Sequence, residues 1–95
     1  MSAYVEIRIK AEDPSLLKNY QKVAPGVIQK YNGKFIVRGG EVITLEGEPE
    51  TRRIVIIEFS SIEEAKAFYY SNEYTHAIEL RKGVAVADII VIDGI

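Results

Sequence analysis

The chain has no cysteine, no tryptophan and a single histidine, His76. Without cysteine there is no disulfide framework, no thiolate nucleophile and no cysteine metal site. An excess of one charge sign is missing too. Twelve Lys and Arg stand against 14 Asp and Glu, giving a net charge of −2, and no basic stripe runs along the sequence. Nucleic acid and anionic membrane are therefore poor candidate partners. No apolar run approaches the roughly 20 residues of a membrane-spanning helix. Met1 to Lys10 alternates polar and apolar residues and lacks the basic region and continuous apolar core of a signal peptide. The expectation is a cytoplasmic protein. What is present is ordinary for a folded domain: 95 residues, 47% hydrophobic and 27% charged, one domain over residues 1–95.

Periodicity gives the elements. Ala3 to Lys10 (AYVEIRIK) alternates with period 2 and reads as a strand, with Val5, Ile7 and Ile9 on one side. Asp13-Pro14 opens a helix: Asp13 can accept from free amides, and Pro14 lacks a hydrogen that would be orphaned anyway. Leu17, Tyr20, Ala24, Val27, Ile28 and Tyr31 follow as one apolar stripe, and Asn32-Gly33 ends it, with Gly33 suited to a left-handed position. Pro25 should kink this helix or split it in two. Lys34 to Arg38 and Glu41 to Glu46 read as short strands joined through Gly39-Gly40, as a tight hairpin or one bent strand. Arg53 to Phe59 (RIVIIEF) is the most apolar strand, expected in the sheet interior and covered on both faces. Ser60-Ser61 offers a cap for a second helix carrying Ile62, Ala65, Phe68 and Tyr69, interrupted at Ser71-Asn72. Glu73 to Lys82 reads as a further short helix and Val86 to Ile92 as the last strand.

The order is β-α-β-β-α-β, the second helix in two pieces, a ferredoxin-like α+β arrangement with two helices on one face of a four-stranded antiparallel sheet. Such a sheet leaves its other face bare. Both parities of Arg53–Phe59 and Val86–Ile92 are apolar, so a lone chain would expose a large oily surface. Homodimerisation through that sheet face is the simplest remedy.

With the elements in place, the chain resembles the family catalogued as domain of unknown function 1330 (DUF1330), within the dimeric α/β-barrel superfamily. The likeness covers nearly the whole chain. It rests on Ala3-Tyr4-Val5, Asp13-Pro14, Tyr20, Ala24-Pro25, Tyr31 with Gly33, Val37-Arg38-Gly39-Gly40-Glu41, Leu45-Glu46-Gly47 and Glu58-Phe59. It continues through Ala65-Lys66-Ala67-Phe68-Tyr69, Ser71, Glu73-Tyr74 and Leu80-Arg81-Lys82-Gly83. Gly26 departs from the pattern, where a better helix former is expected. The resemblance implies a ferredoxin-like fold and a dimer whose sheets pack face to face, and it implies no activity. Superfamily relatives include cofactor-free monooxygenases, lactone isomerases and haem-degrading enzymes. Haem degradation is disfavoured, because tryptophan is absent and His76 stands alone.

Candidate site residues each carry a plainer alternative. Arg38, before Gly39-Gly40, can clamp a carboxylate with a fork that lysine cannot match, or can pair across the sheet with Glu58. Glu58, the only acid in its strand, suits a general base if its pKa is raised, or belongs to a charge network with Glu6, Arg8 and Asp88. His76 is a candidate base, or an incidental helical histidine. Tyr20, Tyr69 and Tyr74 can wall a small-molecule pocket between helices and sheet, or fill the core rim. Arg38 or Arg81 would anchor an anion there. No cofactor and no metal are implied. The functional alternatives are an enzyme-like protein acting on a small carboxylated or aromatic molecule, and a ligand-binding or stress-associated dimer without chemistry.

Overall fold

The computed structural model describes residues 2–95. Its sheet grows from the alternation of β1 (Ala3–Ala11), whose Ala3, Val5, Ile7 and Ile9 are all buried. Asp13 then accepts from the Ser15 amide at 3.0 Å and starts a 3-10 turn, Pro14–Leu17, that runs into α1 (Lys18–Lys30). The helix passes through Pro25 without splitting. Proline there removes the bond to the carbonyl of Gln21, and Gln21 is exposed, so water can take that bond. At the exit the left-handed residue is Asn32, φ 63°, and not Gly33. Gly33 is needed for room instead: a Cβ there would lie 2.7 Å from Ile28 Cγ2 and 2.8 Å from the Phe59 ring.

β2 (Lys34–Arg38) and β3 (Arg53–Phe59) follow, then α2 (Ile62–Tyr69), α3 (Asn72–Glu79) and β4 (Ala85–Asp93). Ser61 caps α2 by accepting from the Glu64 amide, and Ser71 caps α3 by accepting from Tyr74 while donating to the Phe68 carbonyl at 2.7 Å. One serine thus closes one helix and opens the next, which makes the break at Ser71-Asn72 a built corner. The sheet is fully antiparallel in the order β2-β3-β1-β4. With the helices on one face, the chain is the ferredoxin-like α+β fold.

One expectation about the sheet needs correction. Glu41–Glu46 is not a strand: residues 40–52 form an irregular loop, with Ile43 69% and Leu45 93% exposed. Its β-formers have no buried face to pack on, and a bare two-stranded extension is marginal in water. Among the described residues the sheet therefore has four strands. As expected, β3 is interior in the sheet, and within one chain its helix-side face is the covered one. Val55, Ile57 and Phe59 are buried under the helices, whereas Ile54, Ile56 and Glu58 are half-buried on the open face.

Register defines that open face. Tyr4, Glu6 and Arg8 of β1 lie opposite Glu58, Ile56 and Ile54 of β3, and opposite Ile92, Ile90 and Asp88 of β4. The end of the loop folds back over one end of it: Glu50 pairs with Arg52 and Arg8, and Arg52 reaches Asp88 at 2.7 Å. At the other end Ile90 and Ile92 stand about half exposed.

Candidate functional site

On the helix side, α1 does not close fully over β2 and β3. The gap is a small cleft, about 60 Å³, walled by Ile7, Ile9, Leu17, Ala24, Ile28, Phe35 and Val55. Its polar rim consists of Tyr20, Gln21, Arg38 and Arg53. The wall is apolar because the buried parities of β1 and β3 face the apolar stripe of α1. This combination of an oily wall and few polar groups is the usual make-up of a ligand site.

Arg38 arrives there through a backbone irregularity. Phe35 pairs with Ile57, yet Val37 pairs with Ile56, so Ile36 is an extra residue in β2. Without that bulge, alternation would put Phe35 and Arg38 on opposite faces; with it, both lie on the helix side. The guanidinium sits 4.2 Å from the centre of the Phe35 ring, a cation–π contact that holds it over the cleft. The cross-sheet pairing of Arg38 with Glu58 is thereby overturned, because Glu58 faces the other way and accepts from the Tyr4 hydroxyl at 3.2 Å.

Arg53 is the rim residue that sequence reasoning missed. It opens β3 opposite Ile9, on the helix side. Its guanidinium occupies the space a Cβ on Gly39 would need, and Gly39 has φ +71°, so glycine serves there in both conformation and room. Among the described residues neither Arg38 nor Arg53 makes an ion pair, whereas Arg8 and Arg52 both do. The available signal was composition: an arginine at the mouth of an otherwise apolar strand.

The other candidates divide. Tyr20 reaches the rim, but Tyr74 is wholly enclosed behind it. Their hydroxyls are 2.6 Å apart, and burial first, with Tyr20 second, holds the Tyr74 phenol far above its ordinary pKa. Arg81 is only 8% exposed, stacks 5.4 Å from the Tyr20 ring centre and leaves Nε without a partner among the described residues. Arg81 therefore backs Tyr20 from behind the wall and does not line the cleft. Tyr69 meets Tyr74 with the rings tilted 52° and their centres 5.7 Å apart, and lines a separate hollow beside Val5, Ile89 and Val91. His76 is exposed on α3, and neither it nor Glu58 reaches the cleft. No group of His, Asp or Glu among the described residues is arranged to hold a metal ion, and no helix is long and apolar enough to cross a membrane.

Solved structures similar to this chain share its fold. A protein of unknown function from Rhodopseudomonas palustris aligns over 99% of this chain and 82% of its own, at 16% identity and TM-score 0.74. A cofactor-independent oxygenase from Streptomyces nogalater aligns over 99% and 93%, at 6% identity and TM-score 0.70. A dimeric protein of unknown function and ferredoxin-like fold from Bacteroides fragilis aligns over 98% and 96%, at 13% identity and TM-score 0.65. No curated protein matches. A family model does match, across residues 2–95, and by it the chain belongs to the domain of unknown function family DUF1330.

Proposed function

We propose that this protein is a homodimer that binds a small carboxylated molecule, with a short aliphatic or aromatic body, in the cleft between α1 and the sheet. One observation carries the binding reading. Arg38, exposed at the rim, rests on the Phe35 ring over an apolar cleft and makes no ion pair among the described residues. A guanidinium held in that way offers two parallel donors to a ligand carboxylate.

Binding without chemistry is the form this reading takes. The cleft lining includes no Asp, Glu or His, and the candidate bases Glu58 and His76 lie elsewhere. The oxygenase from Streptomyces nogalater lends the fold as support, not its reaction. The dimer reading rests on Ile54, Ile56, Ile90 and Ile92 on the open sheet face, together with the dimeric relative from Bacteroides fragilis. A second copy laid on that face would cover it.

The test is a thermal-shift screen of small carboxylates against wild type and Arg38→Ala. Removing the anchor should cost about 1.5–3 kcal/mol of binding, the worth of a charged hydrogen bond, with much less effect on melting. If no carboxylate shifts the wild type and Arg38→Ala only melts earlier, Arg38 is structural and the reading fails. Light scattering at micromolar concentration should report a dimer, and Glu58→Lys on the open face should weaken it. A stable wild-type monomer would sink the assembly half of the proposal.

A further inference from the structure

Two cations at one small opening need an explanation that a single carboxylate does not supply. Arg38 and Arg53 come from adjacent strands and flank the same cleft. Neither has an acidic partner among the described residues, although Glu50 neutralises Arg52 directly beside Arg53 in sequence. Both side chains are exposed, so solvent screens their mutual repulsion and leaves their donors open to an anion at the rim. Both guanidinium groups are also seated. Arg38 rests on the Phe35 ring, delivered there by the extra residue Ile36, and Arg53 fills the space left by the missing side chain of Gly39. Two separate backbone devices, a bulge and a left-handed glycine, thus serve to keep two forks at one rim.

We infer that the cleft selects a doubly charged oxyanion head, a dicarboxylate or a phosphate monoester, carried on a short apolar tail. The tail belongs in the cleft, whose volume of about 60 Å³ suits a few carbons. The head stays at the rim, where each arginine takes part of its charge. Arg53 is then the residue that separates dianions from monoanions, and Arg38 serves both. This inference rests on the binding reading above and narrows its ligand class.

Three probes share a propyl tail and differ in the head: pentanoate, propylmalonate and propyl phosphate. Propylmalonate is pentanoate with a second carboxylate, so the pair isolates one charge. Calorimetric titration at pH 8 keeps the phosphate doubly ionised, its second pKa being about 6. Wild type should bind at least one of the two dianions about tenfold or more tightly than pentanoate, the scale of one added charged hydrogen bond. Propylmalonate and propyl phosphate together show which head is preferred. Arg53→Ala should weaken dianion binding about tenfold or more and pentanoate binding by less, so that the preference between them disappears. Gly39→Ala, which pushes the Arg53 guanidinium from its seat, should do the same more weakly. Melting curves on each variant show that it folds. If pentanoate binds as well as both dianions, or Arg53→Ala keeps the preference, the dianion inference is overturned and single-carboxylate binding survives. If none of the three binds, both readings fall.

Discussion

Adding one methyl group to this protein should have opposite effects at two glycines. Gly26 lies inside α1, is exposed, and has nothing within 4 Å of a Cβ built upon it. Alanine there costs no contact and removes backbone freedom from the unfolded chain, so Gly26→Ala should stabilise by about 0.5–1 kcal/mol. Gly33 lies just past the end of the same helix. Its Cβ would sit 2.7 Å from Ile28 Cγ2 and 2.8 and 2.9 Å from the Phe59 ring. Those neighbours have little freedom to retreat. Ile28 is 3% and Phe59 1% exposed, and the Phe59 ring is stacked on Phe68 with centres 5.3 Å apart. Overpacking of this kind costs about 1–3 kcal/mol. For a domain of this size each kcal/mol moves the melting temperature by about 4–8 °C. Gly26→Ala should therefore melt about 2–8 °C higher, and Gly33→Ala about 4–24 °C lower. Differential scanning calorimetry at one fixed protein concentration is the assay, because the proposed dimer would make melting depend on concentration. A neutral or stabilised Gly33→Ala would refute the packing argument, and a destabilised Gly26→Ala would show that its empty surroundings are filled by something else.

Three further outcomes are expected. Tyr74→Phe removes one partner of the 2.6 Å hydroxyl pair and leaves Tyr20 to find another, so chemical denaturation should show a loss of about 1–2 kcal/mol. The Tyr20→Phe/Tyr74→Phe double variant should lose less than the two singles summed, and strict additivity would mean the hydroxyls do not interact. Glu50 is held at a pKa of about 2, below its ordinary 4.5, chiefly by its bonds from the Arg52 side chain. Its pairing thus stabilises the fold above about pH 4.5 and is lost as pH falls towards about 2. Arg52→Ala should flatten the pH dependence of stability in that window, and an unchanged acid-unfolding curve would contradict it. Ile90→Lys places a charge amid the bare end of the open sheet face and should shift sedimentation towards the monomer without lowering helix content. An unchanged dimer would move the interface elsewhere.

Much of the fold was legible because its signals are local. The alternation of β1, the Asp13-Pro14 start and the serine cap of α2 each depend on a few neighbouring residues. Glu41–Glu46 misled for the opposite reason: its residues favour strand, but a strand needs a partner and a buried face, and those are decided by the rest of the chain. The site was readable in part. Arg38 stood out beside its two glycines, and Tyr20 stood out on the helix stripe. Which side of the sheet Arg38 serves was not readable, since it turns on a single extra residue whose position only pairing reveals. Arg53 was hidden because it looks like the polar start of an apolar strand. Tyr74 and Arg81 looked like pocket residues from their chemistry, yet the corner at Ser71 buries both behind Tyr20.

The bulge at Ile36 also bears on how such chains should be compared. A strand without it would carry the same letters around the arginine and present that arginine to the opposite face. Straightening β2 without losing a residue would thus take a charge away from the cleft and set it on the surface proposed to meet another copy, whereas deleting Ile36 would restore regular alternation with Phe35 and Arg38 still on one face. An arginine aligned with Arg38 in a relative is equivalent if it stands three residues after the phenylalanine with the bulge, or two residues after it without one. Spacing, more than identity at one column, is what this corner of the sheet inherits.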